Sequence, residues 1–232
     1  MKLFSAILTI VLLLIGRQLG TSQSFVNLDF ESANVTTIPG FSFYIATSNA
    51  IPGWANSPVA IIGGSSVIAY DTISLGGAAV ILQDANSSFV TPLQGQYSIL
   101  FQGFQGDTNL NDGNPLNASI TQTGQIPVNT QSLTFWGNLS GMEVTIDGQI
   151  IPYNAIGSGA NYTIYGADIS EFAGQTETLS FVTPANSEAL LDNIQFSSST
   201  VPEPSVLGLC ALGGLLLAWR RWKEQNFESK KE

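Results

Sequence analysis

Apolar and polar residues alternate in short runs through most of this chain, with a period of two rather than 3.6. Val26, Leu28 and Phe30 share one phase, while Asn27, Asp29 and Glu31 share the other. Such alternation puts one set on a buried face and the other in solvent. It recurs at Leu133 and Phe135 against Thr134 and Trp136, and at Met142, Val144 and Ile146 against Glu143, Thr145 and Asp147. Leu179 and Phe181 alternate with Thr178 and Ser180 in the same way. Asp147-Gly148 supplies a hairpin turn into residues 149–153. Further strands are expected at residues 41–47, 67–73, 78–82, 96–101, 116–122, 162–165 and 189–196. Gly, Asn, Pro and Ser clusters punctuate them, which predicts an all-β domain folded as a single antiparallel β-sandwich or jelly roll. One helical turn is expected within it, with Asp168 as cap, Glu171 three residues later and Gly174 closing.

Two apolar runs break the pattern, one at each end. Lys2 precedes residues 3–15, the charge and length pattern of a secretory signal peptide. Gly20 and Ser22 suit the small-residue positions of a cleavage site, so residues 1–22 are set aside, although Arg17 before that site is unusual. At the other end Val201-Pro202-Glu203-Pro204 leads into uncharged residues 206–219, which Arg220, Arg221 and Lys223 close. The two prolines favour an extended stretch and prevent an earlier helix start. As a helix the uncharged run spans about 21 Å, short of a hydrocarbon core of about 30 Å. Ser205, Trp219 and Trp222 extend the expected transmembrane helix to residues 205–222 through the interface, with the basic cluster on the cytoplasmic side. A span this short suits a temporary anchor; an ordinary C-terminal anchor is the alternative. Residues 197–200 are a small polar linker, which leaves 23–196 as the sandwich and 201–232 as the tail.

The charges sharpen this division. The seven basic residues are Lys2, Arg17, Arg220, Arg221, Lys223, Lys230 and Lys231, and the chain has no His. Of the 17 acidic residues, all but Glu224, Glu228 and Glu232 lie between Gln18 and Trp219, which makes 14 there. No side-chain salt bridge can form within the exported domain. Nucleic-acid binding is excluded, because it needs Lys or Arg against phosphate. Docking on an anionic membrane is excluded for the same reason, so the membrane is met only through the terminal segments. A neutral ligand, a cationic partner or a divalent metal remains compatible.

Catalysis finds little support. Cys210 is the single cysteine and lies in the apolar tail, so the domain has no disulfide and no thiol nucleophile. Ser and Cys triads lack a base without His or Lys. Zinc lacks its commonest ligands. A paired-carboxylate glycosidase is the remaining enzymatic reading, and nothing singles out two acids for it. The domain is therefore expected to be non-catalytic.

Ligand-binding candidates are the aromatic residues Trp136, Trp54 and Tyr97, with Phe104 and Tyr153 behind them. Trp136 falls in the polar phase of its strand and is expected to be exposed. Trp54 follows the Pro52-Gly53 turn, where plugging the core edge is the competing role. Asp192 is in phase with Ile194 and Phe196, which predicts a carboxylate on the core-facing side or its rim, in need of several hydrogen bonds or a cation. Residues 107–114 place Asp107, Asn109 and Asn111 like an EF-hand loop. However, Gly113 stands one position late and Ala118 replaces the closing Glu, so a turn is expected.

Two resemblances rest on these residues. The tail, with Pro202-Glu203-Pro204, its apolar run and Arg220-Arg221, resembles the PEP-CTERM sorting signal of exported bacterial proteins. That resemblance implies processing by an exosortase at the Val201-Pro202-Glu203-Pro204 segment. It also implies a transient inner-membrane stage, then a place at the cell surface or in an extracellular, exopolysaccharide-containing biofilm matrix. The domain opening Asn27-Leu28-Asp29-Phe30-Glu31, the segment Pro52-Gly53-Trp54 and the close Leu191-Asp192-Asn193-Ile194 resemble galactose-binding-like jelly rolls, with Leu28 in place of the usual Gly. What that implies is a structural Ca²⁺ joining the first and last strands, with Asp29, Glu31 and Asp192 as its ligands. Two functional readings follow: a non-catalytic surface or matrix protein, or a carbohydrate-binding module with a defined glycan site.

Overall fold

The computed structural model describes residues 23–74, 76–105, 115–201 and Arg220. The expected signal peptide, the loop at 107–114 and the sorting tail apart from Val201 and Arg220 lie outside the described residues, as does the helix expected at 205–222. Among the described residues no helix is long and apolar enough to cross a membrane. The described residues up to Thr200 form one compact unit.

The alternating runs fold as strands: β1 (Thr37–Ile38), β2 (Phe41–Ala46), β3 (Ala55–Ser57), β4 (Ala60–Ile62), β5 (Ser65–Tyr70), β6 (Ala79–Asp84), β7 (Tyr97–Gln102) and β8 (Ala118–Gln125). They continue with β9 (Ser132–Leu139), β10 (Glu143–Ile146), β11 (Gln149–Ile150), β12 (Asn154–Ser158), β13 (Thr163–Asp168), β14 (Thr176–Thr183) and β15 (Glu188–Ser197). A short helix α1 (Thr47–Ala50) follows β2. The turn expected after Asp168 is a 3₁₀ turn at Ser170–Phe172, and the Asp168 carboxylate accepts the Ser170 N–H at 2.9 Å. Asp147 and Gly148 both adopt positive φ, 48° and 79°, and make the two-residue hairpin between β10 and β11.

Two sheets stack. The larger runs β1-β2-β5-β6-β7-β15-β9-β13-β12, with β4 also on β5; the smaller runs β11-β10-β14-β8-β3. Ile68, Val80, Leu82, Ile99, Phe101, Leu133 and Phe135 of the large sheet meet Ile120, Val144, Ile146, Leu179 and Phe181 of the small one in a single core. Phe135 and Phe181 cross it edge to face at 5.3 Å between centroids. The β-sandwich is therefore observed, but it is not purely antiparallel. β5 and β6 run parallel, with Ala69 opposite Ile81 and Tyr70 opposite Leu82.

The opening segment departs from the expected strand. Asn27 and Phe30 take positive φ, 50° and 58°, so the period-two alternation is broken. Phe30 is buried while Val26 is exposed. Backbone pairing is replaced by a side chain: the Gln122 amide donates to the Val26 carbonyl at 3.0 Å and accepts the Val26 N–H at 2.6 Å.

Candidate functional site

A single extra residue in β15 decides which side of the large sheet carries chemistry. Asp192 lies opposite Trp136 of β9, yet Gln195 lies opposite Thr134, so three steps on β15 match two on β9. Asn193 takes up the excess with φ of 45°, a conformation asparagine tolerates better than most residues. Leu191 and Ile194 both reach the core across this bulge. Asp192 therefore does not share the phase of Ile194 and Phe196, as the bare alternation suggests. It shares the outer face with Trp136.

Asp192 is nevertheless 0% exposed. The loop at residues 92–97 folds over it, and its carboxyl accepts the Gln94 N–H at 3.0 Å, the Ser98 hydroxyl at 2.7 Å and the Asn193 N–H at 2.6 Å. Ser98 in turn accepts the Leu93 N–H at 2.8 Å. Burial pushes the Asp192 carboxyl up to about 7, against the pull of those three hydrogen bonds, and the Glu31 charge adds to the rise. Glu31 holds the same loop from the other end of the domain, where its Oε1 accepts the Gln96 and Tyr97 N–H groups at 2.8 and 3.1 Å. One carboxyl from the start of the domain and one from its last strand thus fasten a single loop.

This arrangement does not form the calcium cage implied for Asp29, Glu31 and Asp192. Among the described residues no three acidic side chains converge as a metal-binding group. Asp29 turns its Oδ1 onto the Glu31 N–H at 3.3 Å, away from such a group. The other two carboxyls are met by N–H and O–H donors, which suit hydrogen bonding rather than a cation.

The aromatic candidates separate into packing and platform. Trp54 is buried, donates from Nε1 to the Asn27 carbonyl at 3.0 Å, and lies between Phe30 and Phe181. It plugs the core and is removed from the ligand candidates. Tyr153 is likewise tied down: its hydroxyl donates to the Met142 carbonyl at 2.6 Å, and its ring packs on Phe135 and Tyr165. Tyr97 is half-buried at the start of β7, and burial raises its phenol, with the Asp84, Glu31 and Asp71 charges in support.

Trp136 stands on the outer face of β9, half-buried, and Tyr162 lies flat on it with centroids 4.0 Å apart and planes 8° apart. Apart from Asp192, opposite Trp136 on β15 and buried beneath its loop, the strand ladders place uncharged groups around this pair. Thr134 and Asn138 flank Trp136 on β9, Ile164 stands opposite it on β13, and Gln195 and Gly166 stand opposite Thr134. Asn154 follows on β12, opposite Gly166. No charged residue occurs between Asp147 and Asp168. An apolar two-ring slab bordered by amides, a hydroxyl and the fastened loop can stack on the C–H face of a neutral ring and hydrogen-bond its hydroxyls. Tyr162 was not legible as part of the site, because only the pairing of β13 with β9 brings it over Trp136.

A second acidic cluster closes the parallel strand pair. The Tyr70 hydroxyl donates to Asp84 Oδ2 at 2.5 Å, the Asn86 N–H to Asp84 Oδ1 at 2.6 Å, and the Asp84 N–H to Asp71 Oδ1 at 2.9 Å. Burial pushes the Asp71 carboxyl up. Burial opposes ionisation of Asp84 too, but its hydrogen bonds outweigh that and hold it below the usual range. Both Asp84 oxygens are spent on these contacts, which cap the ends of β5 and β6.

No protein-family model matches the chain, and no curated protein matches it. A solved structure, TmCBM61 in complex with beta-1,4-galactotriose, is similar at a TM-score of 0.39 and 11% identity, over 75% of this chain and 97% of that one. The chemistry of the site rests on this chain's own residues.

Proposed function

We propose that this domain is a non-catalytic binder of neutral glycans, with the Trp136–Tyr162 slab as its platform. The observation that carries the reading is the parallel stack of those two rings on an outer sheet face whose neighbours are amide, hydroxyl and aliphatic, apart from the Asp192 carboxyl sealed beneath its loop. A pyranose offers the complementary surface: an apolar C–H face and a rim of uncharged hydroxyls. The acidic balance of the domain disfavours anionic polysaccharides, since no Lys or Arg is present between Gln18 and Trp219 to meet them. The opening, Pro-Gly-Trp and closing motifs support kinship with galactose-binding-like jelly rolls.

Delivery belongs to the same reading. The tail directs an exported protein to an exosortase, with Val201, Pro202, Glu203 and Pro204 as the processing segment and Arg220 and Arg221 as the stop. The product is a cell-surface or matrix protein that engages neutral exopolysaccharide. Affinity electrophoresis of the 23–200 domain through gels containing neutral polysaccharides tests the binding. Retardation by at least one neutral glycan, lost in Tyr162→Ala, is the expected result. Equal mobility in every gel overturns it. Mass spectrometry of the mature protein with and without exosortase tests the sorting, and an uncut tail in both strains overturns that part.

A further inference from the structure

Tyr162 enters the platform from a hairpin turn. Ser158 at the end of β12 pairs with Thr163 at the start of β13, and the Gly159 N–H donates to the Tyr162 carbonyl at 2.9 Å. Gly159, Ala160 and Asn161 are exposed, whereas Tyr162 is half-buried and lies flat on Trp136. A tyrosine in so open a turn has staggered rotamers that point into solvent as well as the one that meets the indole. Trp136 attracts the ring from one side. Gly159 supplies the second surface: its backbone lies against the phenol end. A Cβ built at Gly159 stands 2.7 Å from Tyr162 Oη and nearer still to Cζ and Cε1, inside any real carbon contact.

Backbone conformation does not explain the glycine. Gly159 lies outside the left-handed region in which Gly148 and Gly174 sit, so an alanine could adopt its dihedrals. The ring is what needs the space. The obstructing atoms also decide what an added methyl would move. At Gly103 they are main-chain atoms of Pro184 and Ala185, and the fold itself resists. At Gly159 they are the far end of one side chain, which can swing away and leave the turn intact. We propose that Gly159 is a positioning residue for glycan binding: the space it leaves holds Tyr162 flat on Trp136 before the ligand arrives. This rests on the reading of the two rings as the platform. A ring already held by Gly159 and Trp136 loses little freedom on binding. A ring released from the indole must be ordered by the ligand.

Gly159→Ala in the 23–200 domain tests this by two readouts. Acrylamide quenching of tryptophan fluorescence reports Trp136, because Trp54 is only 4% exposed. Gly159→Ala is expected to raise the quenching as Tyr162 leaves the indole. It is expected to change nothing when Tyr162→Ala is already present, since the displaced ring is then gone. Calorimetry with a neutral polysaccharide that the wild type binds is expected to show affinity about three- to tenfold weaker in Gly159→Ala, the ordering of one side chain. Gly76→Ala, where a Cβ meets open space, is expected to keep wild-type affinity. Melting temperatures stay near wild type. Should Gly159→Ala unfold, adding Tyr162→Ala removes the overlap and is expected to restore folding; failure to do so overturns the proposal. Unchanged quenching in Gly159→Ala, or wild-type affinity for a glycan whose binding depends on Trp136, also overturns it. A wild type that binds no neutral glycan, or binding that Trp136→Ala leaves intact, overturns the platform reading and this proposal with it.

Discussion

Asp192 and Trp136 face each other across the ladder between β15 and β9, the carboxyl sealed beneath a loop and the indole half open beside it. The loop that seals Asp192 therefore forms one wall of the aromatic platform. The state of that carboxyl affects both stability and the wall. Folded Asp192 keeps its proton up to about 7 because burial penalises its charge. The unfolded side chain releases it near 3.9. Between those limits the native state binds more protons, so its contribution is complete below about pH 4 and is lost as pH rises through about 7. The loss is at most about 4 kcal/mol for a shift of this size. Urea unfolding at pH 4.5, 6 and 8 is expected to give falling stability, with the slope strongly reduced in Asp192→Asn. An unchanged slope in that variant contradicts the assignment.

Gly95 gives the loop its shape. Its φ is 61°, and a Cβ there would run into Glu31 Oε1, the atom that accepts the Gln96 and Tyr97 N–H groups. Gly95→Ala is expected to cost about 1–3 kcal/mol by straining the backbone and breaking the Glu31 contacts. It is also expected to weaken glycan binding, because the displaced loop borders Trp136. Stability within about 0.5 kcal/mol of wild type would show that Glu31 does not fasten the loop.

Trp54 and Trp136 are expected to separate folding from binding. Trp54→Ala opens a void between Phe30 and Phe181 and orphans the Asn27 carbonyl, at a cost of about 3–5 kcal/mol. Thermal melts are expected to fall for Trp54→Ala while Trp136→Ala stays close to wild type. A comparable drop in both would make Trp136 a packing residue.

Calcium is not expected to stabilise the domain. Glu31 Oε1 accepts two N–H groups, both Asp192 oxygens accept N–H or O–H donors, and Asp29 turns its Oδ1 onto the Glu31 N–H. Adding calcium to about 5 mM is expected to leave the melting temperature within about 1 °C. A rise of several degrees, reversed by chelation, would restore the three carboxylates as ligands.

How much of this was legible in the sequence depended on whether local alternation survived folding. At Val144 and Ile146, and at Leu179 and Phe181, each inward residue predicted from the pattern is buried, and Asp147-Gly148 turns as its residue types require. At Val26, Leu28 and Phe30 the same pattern misleads, because two positive-φ residues and a bond from the Gln122 side chain replace the strand. Alternation puts Asp192 on the core-facing side or its rim, whereas the bulge at Asn193, one backbone step that composition does not reveal, turns it to the outer face. The flat contact of Tyr162 on Trp136 joins residues brought together only by the β9–β13 pairing. The split of β5 between β4 and β6 was equally hidden, since parallel pairing carries no local signature over two residue pairs.

The central claim is tested most directly by the affinity of the 23–200 domain, wild type and Trp136→Ala, for a neutral polysaccharide that retards it. Isothermal titration calorimetry is expected to show binding that weakens at least tenfold in the variant, about 1.4 kcal/mol, with the melting temperature preserved. Equal affinity in the two proteins, or no neutral glycan bound by the wild type, would contradict the account.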